Sequence, residues 1–238
     1  MKLLSVGNTK TVKGEAWGYR TYILHLAPSN LSGYNVCPMA SKGCAVACLN
    51  TSGRGRFTRT QEARIRKTKL FFENRDVFMT MLVKDILAAV RDAKRNNLIP
   101  VFRLNGTSDI RWETVTVGTK VNSTFMADNI MAVFPTIQFY DYTKLANRTN
   151  LPANYHLTFS RSESNHTEVN HILDTTRQNV AVVFNVKKNA PLPAYWDGRE
   201  VEDGDLSDLR FLDKQGTIVG LRGKGKAKKD LSNFMVNV

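Results

Sequence analysis

All three cysteines of this 238-residue chain, Cys37, Cys44 and Cys48, fall within twelve positions in a C-x6-C-x3-C pattern. Thiolates are soft ligands suited to zinc, copper(I) and iron–sulfur clusters. Three thiols in one short Gly/Ser-containing loop point to a metal site rather than to three buried small hydrophobes. A disulfide fits poorly, because the count is odd and the N-terminus is too short and polar for a signal peptide. Structural zinc takes four ligands and catalytic zinc three plus water, and His25 is the nearest further ligand in sequence. Iron–sulfur clusters are normally held by four cysteines, so three on a four-iron cube leave one iron open. The residues alone leave zinc and iron–sulfur both standing.

The elements that must position this loop are read from periodicity. Residues 21–28 are rich in β-formers and closed by Pro28, so the cysteines follow the end of a strand. A helix is expected from Thr58 or Thr60, with Ile65, Leu70 and Phe71 inward and Arg64, Arg66, Lys67 and Lys69 on a basic outer face. A second helix, capped by Asp76, carries Phe78, Leu82, Ile86, Val90 and Ala93 at helical spacing. Strands follow near 99–104, 137–144, 155–160, 180–186 and 217–221. Between them lie a weaker helix around 125–133, a short one near Leu145 and one over 167–178. Six strands alternating with helices predict an α/β fold with a parallel sheet, formed as a partial (β/α)6 barrel. One domain over 1–238 is expected. It has an N-terminal extension (1–20), the cysteine loop (35–56), an acidic loop region (191–213) and a basic C-terminal tail (222–238).

Such folds place their sites beyond the strand C-termini. The residues expected on that rim are Cys37, Cys44, Cys48, Asn105, Gly106, Ser108, Asp109, Lys144, Ser160 and Arg161. Thiolates, amides, hydroxyls and cations together suit a metal or cluster beside an anionic or zwitterionic ligand. Asp109 could hold a ligand amine or ribose hydroxyl, or cap a helix. Lys144 and Arg161 could pair with carboxylate or phosphate, or be surface charges. His166 and His171, five apart, would not share a helix face. No Ser/His/Asp order, Walker loop or H-E-x-x-H motif is present.

The chain carries 34 Lys and Arg against 21 Asp and Glu, a net charge of +13. That balance favours nucleic acid or another anionic partner. The run Gly220 to Lys229 is its densest basic cluster. No apolar run approaches the ~20 residues needed to span a bilayer, so no membrane partner and a cytoplasmic location are expected. Nothing in the sequence sets the oligomeric state.

Several blocks together resemble a family of phage proteins, the gene-product-eighty-eight family. They are Cys37 to Gly55, Ala63 to Thr68, Phe139 to Lys144, Asp203 to Phe211 and Val219 to Gly225. The resemblance runs from about residue 35 to the C-terminus and implies the cytoplasm of an infected host. That family is similar in architecture to radical S-adenosylmethionine (SAM) enzymes, which hold a four-iron cluster on three cysteines after the first strand of a partial barrel. Those enzymes use C-x3-C-x2-C with an aromatic before the last cysteine, where this chain has C-x6-C-x3-C and Ala47. The resemblance implies Cys37, Cys44 and Cys48 as ligands of a [4Fe-4S] cluster. It also implies SAM on the open iron, with Asn105–Asp109 and Ser160–Asn165 near it. The activity implied is radical modification of a nucleic acid, nucleotide or peptide. A non-catalytic iron–sulfur electron carrier or macromolecule-binding protein, and a zinc-stabilised nucleic-acid-binding module, are the alternatives.

Overall fold

Parallel strands cannot be joined by tight turns and need long crossovers, which sets the order of elements. The computed structural model describes residues 1–6, 9–118, 126–225, 227 and 231–238. In chain order it contains β1 (Leu4–Val6), α1 (Thr9–Val12), β2 (Tyr19–Leu24), α2 (Lys42–Val46), α3 (Thr58–Glu73), α4 (Arg75–Arg95) and β3 (Ile99–Arg103). There follow α5 (Ile130–Val133), β4 (Gln138–Thr143), β5 (Tyr155–Ser160), α6 (His166–Thr175), β6 (Val180–Phe184), β7 (Tyr195–Trp196), β8 (Arg199–Asp203) and β9 (Ile218–Arg222).

The strands form one open nine-stranded sheet, ordered β1-β2-β3-β4-β5-β6-β9-β8-β7. The six expected strands are β2, β3, β4, β5, β6 and β9, side by side in chain order and all parallel. β1 adds antiparallel at one edge, within the expected N-terminal extension. At the other edge, the region expected as an acidic loop supplies β8, parallel to β9, and its hairpin partner β7. Three-residue and two-residue strands carry too little alternation to be read from sequence.

Side chains alternate across the sheet, and the helices gather on one face. Phe71, Phe78, Leu82 and Ile86 of α3 and α4 pack with Leu24, Phe102 and Phe139. Val169, Ile172 and Leu173 of α6 pack with Phe159, Val180, Val182 and Ile218. The opposite face carries Thr21, Val101, Arg103 and Tyr140, and Leu209 packs over Val101 and Tyr140. Asp208, beside Leu209, takes Arg103 at 3.1 Å.

Four local expectations are corrected. No helix forms near Leu145, where residues 144–154 cross from β4 to β5 as irregular chain. Asn74 rather than Asp76 caps α4, its side chain accepting from the Val77 amide at 3.3 Å. Arg64 is buried, and Lys67 turns inward to donate to the Leu3 carbonyl at 2.6 Å. The expected helix around 125–133 shortens to α5 among the described residues, and Phe125 lies outside them.

Candidate metal centre

The loops that leave the C-terminal ends of β2, β3, β4 and β5 meet, as the rim argument expects. Three glycines and a chain of polar contacts bring them together. A side chain on Gly106 would strike Ile23 and the Leu24 carbonyl, so only glycine lets the β3 loop lie against the end of β2. The Cys37 thiol then faces the Thr107 carbonyl at 3.8 Å, and the Asp109 amide donates to Val36 O at 2.8 Å. Asp109 Oδ2 accepts from the Lys144 amide at 2.8 Å, and Lys144 Nζ reaches Ser160 Oγ at 2.7 Å. Glu163 closes the ring by accepting from Ser41 Oγ at 2.8 Å and from the Gly43 amide at 2.7 Å.

The cysteines hang on this frame. Ser41 caps α2 by accepting from the Cys44 amide, which fixes Cys44 one turn into the helix. Gly43 is buried where a side chain would collide with Glu163, Ser232 and Phe234. Ala47, Phe234 and Met235 pack beside Cys44, so the end of the chain folds over α2. Cys37 accepts from the Ser29 amide at 3.4 Å and Cys48 from the Asn50 amide at 3.5 Å, each an N–H···S contact that favours a thiolate. Gly55 lets a 3-10 turn (Gly53–Arg56) lie against Asn50, whose side chain takes Arg64 Nη1.

All three thiols are free and half-buried. Burial pushes Cys37 up to about 12 and raises Cys44 and Cys48. The three are close enough to disfavour one another's ionisation, Cys37 with Cys44 and Cys48, and Cys48 with Cys44. Two cations flank them, buried Arg64 and partly buried Lys144. Lys144 is depressed by burial, and its electrostatic support comes from Cys44 first, then from Asp109 and Glu163. Arg64 is likewise depressed by burial, with Cys48 its opposing support. Among the described residues neither makes an ion pair with a carboxylate. Also among them, no three His, Cys, Asp or Glu side chains converge closely enough to hold a single metal ion.

The other expected residues take defined places. Asn105 Oδ1 accepts from Ser108 Oγ, the Ile110 amide and Trp112 Nε1, and its amide nitrogen donates to Ile110 O. Asn105 and Ser108 thus shape the β3 loop. Asp109 is raised by burial and also lies 3.6 Å from Arg148. Arg161 Nη1 donates to the carbonyls of Asn233 and Phe234, tying the chain terminus to the rim. His25 sits among Arg64, Arg103 and Lys67, and burial first and then those charges push it down to about 3, so its imidazole is neutral. His166 and His171 are exposed on α6.

Arg64, Glu163 and Phe234 are the site residues not singled out from sequence. Arg64 stands four before Thr68 and seven before Phe71, both buried, so helical spacing alone places it on the inward stripe. Glu163 and Phe234 come from distant parts of the chain and carry no local signal. A cavity of about 640 Å³ opens at the other end of the sheet, beside Gln138 and Asn154. Its lining holds no titratable side chain.

Among the described residues no helix is long and apolar enough to cross a membrane. Neither a curated protein nor a solved structure matches the chain. A model of the family Gene product 88 matches residues 2–237, so the chain belongs to the Gene product 88 family.

Proposed function

We propose that this phage-type protein holds a [4Fe-4S] cluster on Cys37, Cys44 and Cys48, at the mouth of a radical-SAM-like partial barrel. The observation that carries the reading is the gathering of three free thiols beside two cations, Lys144 and Arg64, neither of which makes an ion pair with a carboxylate among the described residues. A cation withdrawn from water is costly unless anions lie near it. Asp109 and Glu163 support Lys144, and deprotonated Cys44 and Cys48 would add anions beside Lys144 and Arg64. Metal binding deprotonates thiols that burial would otherwise keep neutral. Three cysteines suit a cube with one corner left free of protein, whereas a structural zinc takes four ligands. Helices on one face of a sheet open at both edges, with a polar opposite face, support the partial barrel.

When bound, a cluster with one iron unligated by protein supplies electron transfer and an open coordination position. The chain's own part is to place and balance it. Ser41 and Glu163 fix α2, the Ser29 and Asn50 amides favour thiolate at Cys37 and Cys48, and Lys144 and Arg64 supply positive charge. Asn105, Gly106, Ser108, Asp109, Lys144, Ser160 and Arg161 are the residues that would hold SAM.

Anaerobic purification with iron and sulfide analysis tests the cluster. Adding SAM to the reduced protein and recording electron paramagnetic resonance then separates an enzyme from an electron carrier. An unperturbed signal assigns the protein to electron transfer, and a colourless zinc protein overturns both.

A further inference from the structure

The tail is the densest basic run, yet its described cations are already neutralised. Arg222 pairs with Asp203 at 2.8 Å, and Lys224 with Asp205 at 2.8 Å. Lys226, Lys228 and Lys229 lie outside the described residues. The outer side of the cysteine loop is different. No Asp or Glu occurs between Glu15 and Glu62. Lys42, Arg54, Arg56 and Arg59 are all exposed, and none has an ion-pair partner among the described residues. Two 3-10 turns, Leu49–Thr51 and Gly53–Arg56, pack on each other, and the second also packs on α3, so Arg54, Arg56 and Arg59 share one compact surface.

Apolar side chains are set among them. Phe57, at the start of α3, is 54% exposed, with the Arg56 guanidinium 5.9 Å from its ring centroid. Val46 and Leu49 are exposed on the outer side of the segment whose inner side presents Cys44 and Cys48. Unpaired cations interleaved with an open aromatic ring are what a single nucleic-acid strand uses, its phosphates on the cations and its bases stacked on the ring. A duplex keeps its base faces covered. Protein interfaces deplete charge at their centre, whereas here the cations surround the ring directly.

We propose that this surface, formed by Arg54, Arg56, Phe57 and Arg59, binds single-stranded nucleic acid beside the cysteine site. The inference goes beyond the cluster reading and stands without it, since no thiol takes part. The test is fluorescence anisotropy of the purified full chain with labelled single strands of about 12 nucleotides, ribo and deoxyribo, against the matching duplexes. Three phosphate contacts predict that log K falls with log salt at a slope of about −2 for a single strand. Arg54→Gln/Arg56→Gln cuts that slope to about a third, and Phe57→Ala weakens single-strand binding about tenfold while leaving the slope alone. Lys224→Gln changes neither. Preference between ribo and deoxyribo strands identifies which nucleic acid is the source. The proposal is overturned if the arginine variant keeps the full slope, if duplex binds as tightly as single strand, if Phe57→Ala has no effect, or if polyglutamate displaces the strand at equal charge concentration.

Discussion

Two sets of buried cations behave differently in this molecule. Arg103 faces Asp208 at 3.1 Å, Arg210 faces Asp213 at 3.1 Å, and Arg148 binds Glu113 through Nε at 3.0 Å while reaching Asp109. Each of these is balanced by a carboxylate within the fold. Arg64 is buried as well and Lys144 partly so, but among the described residues neither makes an ion pair. Beside them lie Ser160 Oγ, Asn50 Oδ1 and the three thiols, with Asp109 and Glu163 giving Lys144 longer-range support. The first set closes its electrostatics with protein groups in direct contact. The second gains close counter-charges when the thiols become anions, which a bound metal brings about.

Breaking the first set should have the largest effect. Arg148→Met leaves Glu113 with only the exposed Arg111, at 3.3 Å, and strips Asp109 of its guanidinium, so it should cost about 3–5 kcal/mol of stability by urea unfolding. Lys144→Met is the counterpart. In iron-free protein it removes a charge that makes no ion pair and draws only longer-range support from Asp109 and Glu163, so it should cost about 1 kcal/mol or less. The same variant should lose bound iron faster on exposure to air. A Lys144→Met protein as destabilised as Arg148→Met would erase the distinction between the two sets.

A smaller effect concerns Asp141, which accepts from the Asn105 amide and from Tyr155. Burial pushes its carboxyl up to about 7 from an ordinary 3.8. A carboxyl raised in the folded state contributes its full stability below the unfolded value and loses it as pH rises through the folded one. Wild type should therefore lose stability between about pH 4 and 7 relative to Asp141→Asn, which mimics the protonated form. Parallel pH profiles for the two proteins would place Asp141 outside the titrating core.

The six parallel strands and their order were legible because their cores are long enough for β-rich runs to stand out from helical spacing. The meeting of the loops after β2, β3, β4 and β5 followed from that order alone. What stayed hidden depended on distant partners. Arg64 looks like its exposed neighbour Arg66 until the buried Thr68 and Phe71 fix the inward stripe. The pairing of Arg222 with Asp203 and of Lys224 with Asp205 joins two segments separate in sequence. Short β1 and β7 take their strand character from neighbours, and β8, as long as β3, was masked by its charged residues.

The central claim is that the three thiols and their two unpaired cations form a cluster site. Iron and acid-labile sulfide, measured on anaerobically purified protein alongside Cys37→Ser, test it most directly. The account predicts about four of each per chain in wild type, with a brown chromophore, and their loss or rapid bleaching in the variant. Zinc in place of iron, or full iron and unchanged absorbance in Cys37→Ser, would contradict it.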